Sequence, residues 1–496
     1  MLTELLRDAR KYEEVRSREI TPEMRPAYHL SARVGWMNDP NGFCYYQGKY
    51  HLFYQYHPFN SHWGPMHWGH AVTTDLIHWE YLPAAMAPDQ PFDRDGCFSG
   101  SAVTLPDGQH LLLYTGVVNE EKDGVMRGVQ TQCVAVGDGR DYEKYQKNPV
   151  LTVTDLPKGS SRYDFRDPKL WREQDGLYYA VAVTNNPEKG GGQVLLFSSK
   201  DAFKWRYETT ILSNDDRIGR MWECPDLFEL DGKTVLMCSA MDMLPEGLKY
   251  YNGNGTFYMI GEYDRQTGAF HEETDHAVDY GIDFYAPQTL LAPDGRRILI
   301  AWMQNWDTCN LHTPDVPWFG QMTVPRELSI RDGRLYQNPV REIEKFRQNP
   351  VSHKKVQFAN GEISLSGVKG RCVDVTLSIE PVDEADVYQK FALRFAENEK
   401  YHTAVSFRPY EGIIKIDRKF SGSRRLIIHQ KRAAIGCKDG RLTMRLLLDR
   451  YSAEIFVNDG RKVLSTTITT DLSADEITFF VDGSAYISVE KYDLVM

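Results

Sequence analysis

Hydrophobic and polar residues alternate over short stretches along most of this 496-residue chain. Alternation with a period of two is typical of half-buried β-strands, whereas an amphipathic helix has a period near 3.6. Turn-forming triplets such as Gln47-Gly48-Lys49, Pro106-Asp107-Gly108 and Gln174-Asp175-Gly176 separate the apolar stretches. The pattern therefore predicts an all-β protein built from many short strands.

The first twenty residues follow a different pattern. Apolar residues recur there at helical spacing among charged ones, at Leu2, Leu5, Leu6, Ala9 and Tyr12. This spacing predicts an amphipathic surface helix, within an N-terminal helical extension over residues 1–30. The charged start lacks the apolar centre of a secretory signal, and no apolar run in the sequence is long enough to cross a bilayer. We therefore expect a cytoplasmic protein that does not associate with membranes.

Between residues 36 and 340 one succession of features recurs five times: a polar opening, a short strand, a glycine turn and further strands. The openings begin at Asn38, Gly96, Phe165, Trp222 and Asp283. This spacing of roughly 57 to 69 residues, with about four strands in each interval, matches the blade of a β-propeller. The repeats predict a five-bladed propeller over residues 31–340.

The pattern changes near residue 350. Residues 354–496 contain short alternating strands without a polar opening, which is typical of a β-sandwich. Between the two regions, the charged segment 341–353 is the predicted linker, because Asn-Pro pairs lie beside it. The second domain either buttresses the propeller or binds carbohydrate through exposed aromatic residues, and the sequence leaves both interpretations open.

Composition narrows the classes of function. The net charge of -11 argues against nucleic acid or an anionic membrane as the main partner, although a local basic pocket is compatible with it. The 28 Tyr, 22 Phe and 10 Trp favour strands and sugar-binding surfaces. Eight scattered cysteines form no Cys-x-x-Cys pair, and no histidines cluster at metal-ligand spacing. We expect reduced thiols and no bound metal.

Three acidic residues lie in the openings of the first, third and fourth repeats: Asp39, Asp167 and Glu223. The first strand of a propeller blade is the innermost, so these openings should meet at one mouth of the central channel. Retaining cleavage of a glycosidic bond needs a carboxylate nucleophile and a carboxylic acid about 5 to 5.5 Å apart. A third carboxylate can hold sugar hydroxyls, and crowded acids raise one another's pKa.

Each acid also has a simpler interpretation. Asp39 could belong to a turn, Asp167 to an ion pair with its neighbour Arg166, and Glu223 to a strand end. Their shared position at the openings of a repeat favours a glycosidase site, since independent structural roles would not place three acids in the same phase.

The strings 36–42, 165–168 and 223–224 resemble the three signature motifs of glycoside hydrolase family 32, the invertases and fructanases. The likeness extends to 98–101, 283–289 and, in the second domain, 453–456. It implies a five-bladed propeller followed by a sandwich, and no cofactor. It also implies that Asp39 is the nucleophile on the fructosyl anomeric carbon, Glu223 the general acid/base and Asp167 the transition-state stabiliser.

The resemblance further implies a fructosyl pocket lined by eight residues: Asn38, Gln55, Trp63, Phe98, Ser99, Arg166, Tyr285 and Trp306. Trp63 and Trp306 have the alternative of plain packing. Cys224 either tunes Glu223 as a weak donor or is a small buried apolar residue.

Within the family, the strings 63–70 and 221–227 most resemble bacterial sucrose-6-phosphate hydrolases and intracellular β-fructofuranosidases. The expected reaction is retaining hydrolysis of the terminal fructosyl residue of sucrose or sucrose 6-phosphate. Alternatives are an exo-acting fructo-oligosaccharide or inulin hydrolase, a fructosyltransferase, and a carbohydrate-binding propeller without activity. The sequence leaves the oligomeric state open.

A phosphorylated leaving group would need a basic subsite. Lys122, Arg127 and Lys249 are candidates for it, and the loop 309–318 is expected to shape the same outer subsite.

Overall fold

The computed structural model describes residues 2–309, 316–422 and 428–496. Most of these residues lie in β-strands, which form five propeller sheets and a sandwich. The predicted all-β class and architecture are confirmed.

The amphipathic N-terminal segment forms helix α1 (Glu4–Ser17). The Thr3 hydroxyl caps the helix by accepting the Leu6 N–H at 3.4 Å. Leu6 is buried in the apolar cluster of the first blade, and the Glu13 carboxylate accepts the Ala84 N–H at 2.9 Å. The helix thus packs against the outermost strand of that blade.

Each of the five repeats forms one blade within the described residues, and the first strand of each repeat lies at one edge of the four strands of its blade. Blades one and two consist of β1 (Gly35–Tyr46), β2 (Lys49–His57), β3 (His67–Thr73) and β4 (Glu80–Met86), and of β5 (Gly96–Thr104), β6 (His110–Lys122), β7 (Val125–Gly137) and β8 (Tyr142–Lys144). Blades three and four consist of β9 (Arg166–Arg172), β10 (Tyr178–Asn186), β11 (Gly191–Ser199) and β12 (Trp205–Ser213), and of β13 (Met221–Leu230), β14 (Lys233–Met243), β15 (Gly253–Asp264) and β16 (Ala269–Ala277). Blade five consists of β17 (Tyr285–Leu291), β18 (Arg297–Trp302), β20 (Arg326–Arg331) and β21 (Arg334–Pro339), and β19 (Trp318–Phe319) lies between β18 and β20 in the chain.

The short strand β19 closes the ring. It follows blade five in sequence but pairs in parallel with β1, so that Gly35 lies opposite Trp318. The Met322 N–H also donates to the Leu30 carbonyl oxygen at 2.7 Å. The last blade is therefore joined to the first by backbone hydrogen bonds.

Every innermost strand has a β-bulge at the same height. The pairing of the first strand with the second is interrupted at residues 38–39, 99, 167–168, 224–225 and 286–287. Bulges re-aim side chains and are common beside active sites. Three residues at these bulges adopt left-handed backbone conformations, with φ of 60° at Asp167, 49° at Cys224 and 51° at Ala286. Each such conformation costs about 1 to 3 kcal/mol in a residue other than glycine.

Backbone N–H groups of the innermost strands donate to side chains of the neighbouring blade around the whole ring. The donors and acceptors are Gly100 N–H to Asn41 Oδ1 (3.2 Å), Asp167 N–H to Thr115 Oγ1 (3.0 Å), Cys224 N–H to Asp167 Oδ2 (2.9 Å), Ala286 N–H to Ser239 Oγ (2.9 Å) and Phe43 N–H to Gln288 Oε1 (3.2 Å). Side chains thereby satisfy backbone N–H groups that face the channel, where no strand can pair with them.

The second domain has two layers that share their longest strands. Its strands are β22 (Arg347–Ile363), β23 (Val373–Pro381), β24 (Lys390–Glu397), β25 (Thr403–Arg408), β26 (Ile413–Asp417), β27 (Gln430–Ala434), β28 (Leu442–Asp449), β29 (Ser452–Val457), β30 (Lys462–Thr467) and β31 (Glu476–Leu494). One half of β31 pairs with β24 and the other with β23, and β22 pairs along both halves. The segment 341–353, predicted as a linker, consists of a 3-10 helix (Arg341–Phe346) and the first residues of β22.

A buried polar network joins the two domains. The Glu454 carboxylate on β29 accepts the Val324 N–H at 2.7 Å and Arg326 Nε at 2.9 Å, and it lies 2.9 Å from His29 Nε2. Burial alone would lower the pKa of His29, but hydrogen bonds and charge from Asp449 and Glu454 outweigh it and raise the pKa to about 9. The interface thus holds its charges in pairs.

The sandwich also anchors the start of blade five. Backbone N–H groups of Ile282 and Asp283 donate to the Ser465 carbonyl oxygen on β30, at 2.8 and 3.1 Å. Asp283 stands two residues before Tyr285, the first residue of β17. These contacts favour the buttressing role of the second domain over a separate carbohydrate-binding role.

Candidate active site

The three acids predicted from the sequence lie together at one mouth of the propeller channel. Oδ2 of Asp39 and Oδ2 of Asp167 are each 3.7 Å from the Cys224 sulfur. Arg166 Nε lies 3.1 Å from Glu223 Oε1 and 3.8 Å from Asp167 Oδ2. One thiol and one guanidinium therefore connect all three carboxyl groups.

Hydrogen bonds fix both oxygens of Asp39. Asn38 Nδ2 donates to Oδ1 at 3.0 Å, and the Ser99 hydroxyl donates to Oδ2 at 3.0 Å. Asn38 is itself oriented, because Trp36 Nε1 donates to its Oδ1 at 2.7 Å. The Asp39 carboxylate is buried and held in one orientation.

Asp167 is held through both its backbone and its side chain. Its N–H donates to Thr115 Oγ1, and its Oδ2 accepts the Cys224 N–H. Thr115 also donates to Gln132 Oε1 at 3.0 Å, so the residue that fixes Asp167 is itself fixed. The left-handed backbone of Asp167 is maintained by these contacts, as is typical of strained residues at functional sites.

Glu223 receives two donors and remains partly exposed. Arg166 Nε donates to Oε1 at 3.1 Å, and the Tyr285 hydroxyl donates to Oε2 at 2.7 Å. Tyr285 is fully buried, whereas the Glu223 side chain keeps some contact with solvent. Of the three acids, Glu223 is the one most accessible to the outer part of a substrate.

Arg166 is fixed by acceptors on both sides. Its Nη1 donates to Gln130 Oε1 at 3.1 Å and lies 3.5 Å from Asp164 Oδ1. Burial would lower the pKa of Arg166, but the charges of Glu223 and Asp167 outweigh it and raise the pKa above its ordinary value. The guanidinium is therefore a permanent cation among the acids.

Asp39 and Asp167 do not titrate as exposed carboxyls would. Burial and the charge of Glu223 raise the pKa of Asp39 to about 6, although hydrogen bonds from Asn38 and Ser99 oppose the rise. Burial also raises the pKa of Asp167 to about 7, with Arg166 opposing it and the other two acids adding to it. The cluster therefore keeps a proton at pH values where ordinary carboxyls have lost theirs.

Apolar residues form the wall around the acids. The buried members of this cluster are Trp36, Met66, Cys224, Tyr285, Ala286, Trp302 and Cys309, with Phe98, Trp306 and Phe319 packed against them. Trp306 meets Trp302 edge-on at 5.2 Å, and Trp63 meets Phe98 edge-on at 6.1 Å. Trp63 is 46% exposed, which places it at the rim of the wall.

Gln55 lies farther from the acids in the hydrogen-bond network. It stands on β2, opposite the bulge that carries Asp39, and its Nε2 donates to the Cys97 carbonyl oxygen at 3.0 Å. Its contact supports the seam between blades one and two.

The expectation that the three acids share one phase of the repeat is wrong for Glu223. Asp39 and Asp167 directly precede a proline, but Glu223 stands one residue earlier, in the position that Arg166 and Tyr285 occupy in their blades. Arg166, Glu223 and Tyr285 therefore occupy equivalent positions in three consecutive blades. The side chains of Arg166 and Tyr285 both donate hydrogen bonds to the Glu223 carboxylate. Cys224 occupies the pre-proline position of blade four and contacts both aspartates.

Sequence reasoning missed several supporting residues. Thr115 and Gln130 lie on β6 and β7, the second and third strands of blade two. Both are outside every polar opening, and no local sequence pattern distinguishes them. Trp36 belongs to the opening motif, but its donation to Asn38 needs the folded geometry. Of the loop 309–318, residues 310–315 lie outside the described residues.

No group of His, Cys, Asp and Glu side chains among the described residues is arranged to hold a metal ion. Within the same part of the chain, no helix has the length and apolar character needed to cross a membrane.

Comparisons with known proteins agree with the geometry. Residues 29–339 match the family model for the glycosyl hydrolases family 32 N-terminal domain, and residues 342–494 match the model for the family 32 C-terminal domain. The chain is 36% identical over 472 residues to a raffinose invertase of Escherichia coli, covering 92% of this chain and 91% of that protein. It is 35% identical over 500 residues to a sucrose-6-phosphate hydrolase of Bacillus subtilis, covering 98% of both.

A solved structure shows the same fold. The β-fructofuranosidase of Bombyx mori superimposes with a TM-score of 0.82 at 35% identity, covering 98% of this chain and 97% of that one. The two family models together span both domains of the structure described above. On these grounds the protein is a member of glycosyl hydrolase family 32.

Proposed function

We propose that the protein hydrolyses the terminal β-D-fructofuranosyl residue of sucrose or sucrose 6-phosphate, with retention of configuration, through a covalent fructosyl-enzyme intermediate. The observation that carries the proposal is the contrast between two carboxyl groups in one pocket. Asp39 is buried and fixed by Asn38 and Ser99, as a nucleophile requires, whereas Glu223 is partly exposed toward the leaving group.

In the first step, an Asp39 oxygen attacks the fructosyl anomeric carbon while the bond from that carbon to the glycosidic oxygen breaks. Glu223, in its protonated form, gives its proton to the departing oxygen. Tyr285 and Arg166 contact the two oxygens of Glu223 and so fix the direction of this transfer. The products of the step are a fructosyl ester of Asp39 and the free leaving sugar.

In the second step, Glu223 acts as a base. It removes a proton from a water molecule, whose oxygen attacks the anomeric carbon and releases Asp39 as a carboxylate. Two inversions at one carbon restore the original configuration. The reaction needs acid, base and nucleophile only, and these three roles are filled by side chains.

Asp167 stabilises the charge that develops in the transition state of each step, and Arg166 balances the charge of the acids. Positive charge grows on the fructosyl ring in the transition state, and the Asp167 carboxylate can hold ring hydroxyls while opposing that charge. Arg166 balances the three acids so that they can share one pocket. Phe98 and Trp306, packed against the fully buried Trp36 and Trp302, supply an apolar surface for the sugar.

The choice of substrate is supported by the relatives. Proteins similar over nearly the whole chain are named sucrose-6-phosphate hydrolase and raffinose invertase, and both names describe fructosyl sugars with a glucosyl-containing leaving group. We also propose a cytoplasmic location, because all eight cysteines are free in the described residues.

The test is release of fructose from sucrose, sucrose 6-phosphate and 1-kestose by the purified protein, with the anomeric form of the first product followed by NMR. We expect hydrolysis of a sucrose-type substrate and initial release of the β-anomer. Absence of fructose from all three sugars, or initial release of the α-anomer, would refute the proposed reaction.

A further inference from the structure

The second and third strands of blade two extend beyond those of the neighbouring blade. β6 and β7 have thirteen residues each, whereas β10 and β11 of blade three have nine each. The register between β6 and β7 is unbroken as far as the pair Lys122 and Val125. The end of this hairpin is exposed, including the apolar side chains of Val125 and Met126.

Three cationic side chains surround one tyrosine beside this hairpin. Lys122 Nζ is 5.6 Å from the centre of the Tyr163 ring, and the guanidinium carbons of Arg127 and Arg162 are 5.4 and 5.9 Å from it. We call Lys122, Arg127, Arg162 and Tyr163 the basic rim. Contacts of this kind hold a cation at the ring face while leaving its donors available.

Glu120 is the one acid that contacts the basic rim among the described residues, although Glu121 and Asp123 stand on the same hairpin. Glu120 accepts from the Tyr163 hydroxyl at 2.8 Å and forms a long ion pair of 3.5 Å with Arg162. The side chains of Lys122 and Arg127 are exposed and form no ion pair or hydrogen bond with any residue of the described ranges. By contrast, the partly exposed Lys233 lies 2.6 Å from Glu273.

The basic rim is close to the candidate active site. Tyr163 precedes Arg166 by three residues, and because an extended chain spans at most about 3.6 Å per residue, their Cα atoms lie within roughly 11 Å. Hydrogen bonds through Gln130 also connect the basic rim to Arg166. The Gln130 N–H donates to the Arg162 carbonyl oxygen at 2.9 Å, and Gln130 Oε1 accepts from Arg166. Arg166 in turn contacts Glu223, the residue that faces the leaving group.

We propose that the basic rim binds the phosphate of a phosphorylated leaving sugar, so that the enzyme prefers sucrose 6-phosphate to sucrose. This assignment rests on the proposed function, since it places the phosphate about one sugar ring beyond the bond that is cleaved. Arginine matches phosphate oxygens with two parallel hydrogen bonds, and lysine adds a point charge.

A phosphorylated substrate would benefit from cationic groups near this site. Three carboxyl groups line the pocket, and the chain carries a net charge of -11, so an anionic substrate would otherwise be repelled. A cluster of three cations with one acid at the mouth offsets that repulsion where the phosphate enters.

Lys249, the third basic candidate named from the sequence, is already neutralised. Its Nζ lies 2.7 Å from Asp275 Oδ2 and 3.4 Å from Glu246 Oε1. It therefore provides a matched control, because its removal changes the net charge without touching the basic rim.

The test compares the ratio of kcat/KM for sucrose 6-phosphate to that for sucrose. In the Lys122→Gln/Arg127→Gln double variant we expect this ratio to fall about tenfold or more, because two charge-assisted contacts to phosphate are lost. The Lys233→Gln/Lys249→Gln double variant removes the same net charge elsewhere and should keep the wild-type ratio. An unchanged ratio in the rim variant, or an equal fall in the control, would overturn the proposal.

A second measurement separates this proposal from the proposed function. Glucose 6-phosphate and glucose are titrated calorimetrically against wild type and both double variants, which needs no turnover. Weaker binding of glucose 6-phosphate in the rim variant alone supports the basic rim even if no fructose is released from any sugar. Equal binding of glucose 6-phosphate by rim variant and wild type overturns it, whether or not the enzyme cleaves sucrose.

Discussion

At the scale of single residues, the site contains carboxyl groups that are buried in surroundings where the ionised form is unfavourable. The pKa of Asp39 is raised to about 6 and that of Asp167 to about 7, mainly because both are buried. Such groups destabilise the folded protein once they are ionised, and they are retained where chemistry needs them. Two consequences can be measured.

The first concerns the Asp39→Asn variant. Between the ordinary carboxyl pKa of 3.8 and the raised value of about 6, the folded state binds more protons than the unfolded state, so stability falls as pH rises through this window. At pH 7 the asparagine should raise the free energy of unfolding by on the order of 2 kcal/mol, while activity falls at least about a thousandfold.

Denaturant titrations at pH 7 and pH 3.5 measure this effect. Most of the gain should be lost at pH 3.5, below both pKa values, where Asp39 is mostly protonated in both states. A variant that is less stable than wild type at pH 7, or that keeps half of the activity, would contradict the assignment.

The second consequence is a pH dependence. The Ser99 hydroxyl donates to Asp39 and lowers its pKa, so Ser99→Ala should raise that pKa further. Because Asp39 must be ionised to attack, the acidic limb of the kcat/KM profile should begin near pH 6 in wild type and move upward by about half a unit or more in the variant.

Ser101→Ala is the matched control for this experiment. Ser101 lies two residues farther along β5 and hydrogen-bonds Pro168 and Leu170 instead of an acid. The acidic limb of the kcat/KM profile of the Ser101→Ala variant should coincide with that of wild type. An equal shift of this limb in the Ser99→Ala and Ser101→Ala variants would disprove the proposed link to Asp39.

At the scale of strands, five bulges in register and the ring of hydrogen bonds between blades position the acids. Thr115 on β6 illustrates this, because it accepts the N–H of Asp167 in the next blade. Thr115→Val has nearly the same shape but leaves that buried N–H unpaired, which should lower stability by about 1 to 3 kcal/mol. It should also lower kcat more than it changes KM, since Asp167 acts mainly in the transition state.

Steady-state kinetics and thermal unfolding test this prediction against Thr131→Val. Thr131 lies on β7 and contacts only the Cys133 sulfur, at 3.9 Å, among the hydrogen bonds of the described residues. Equal effects of the two substitutions would show that the bond to Asp167 has no special role.

The repeat of polar openings predicted the blades and the acids because each opening is a local signal at the head of an innermost strand. Asp39 and Asp167 precede prolines, which makes their bulges visible in the sequence. The one-residue offset of Glu223 was not predicted, because it depends on which residue of the bulge faces the channel. Gln130 could not be recognised either. Lys122 and Arg127 were named as basic candidates, but their place beside Tyr163 and Arg162 depends on strand length and packing between blades.

At the scale of the whole molecule, the sandwich is part of the support of the catalytic domain. One apolar cluster includes Leu447 and Phe456 of the sandwich together with Tyr54 and Ile300 of the propeller. The Glu454 network lies beside it, fully buried. We therefore expect the two domains to unfold together in a single transition.

Glu454→Gln tests this coupling. The substitution removes the negative charge that pairs with Arg326 and His29, and a broken buried pair costs about 3 to 5 kcal/mol. Calorimetry should show one transition at a lower temperature. Glu273→Gln, which breaks the solvent-screened pair with Lys233, should leave the unfolding temperature close to that of wild type. Two transitions in wild type, or equal effects of both variants, would refute the coupling.

The roles of Asp39 and Glu223 can be tested directly by trapping the intermediate. A Glu223→Gln variant is treated with β-D-fructofuranosyl fluoride, whose fluoride leaves without a proton, while the missing base slows the hydrolysis of the ester. Peptide mass spectrometry of the quenched protein then locates the fructosyl group. The account predicts one fructosyl unit on the peptide that contains Asp39, and its attachment to Asp167, or to no residue while the fluoride is consumed, would contradict it.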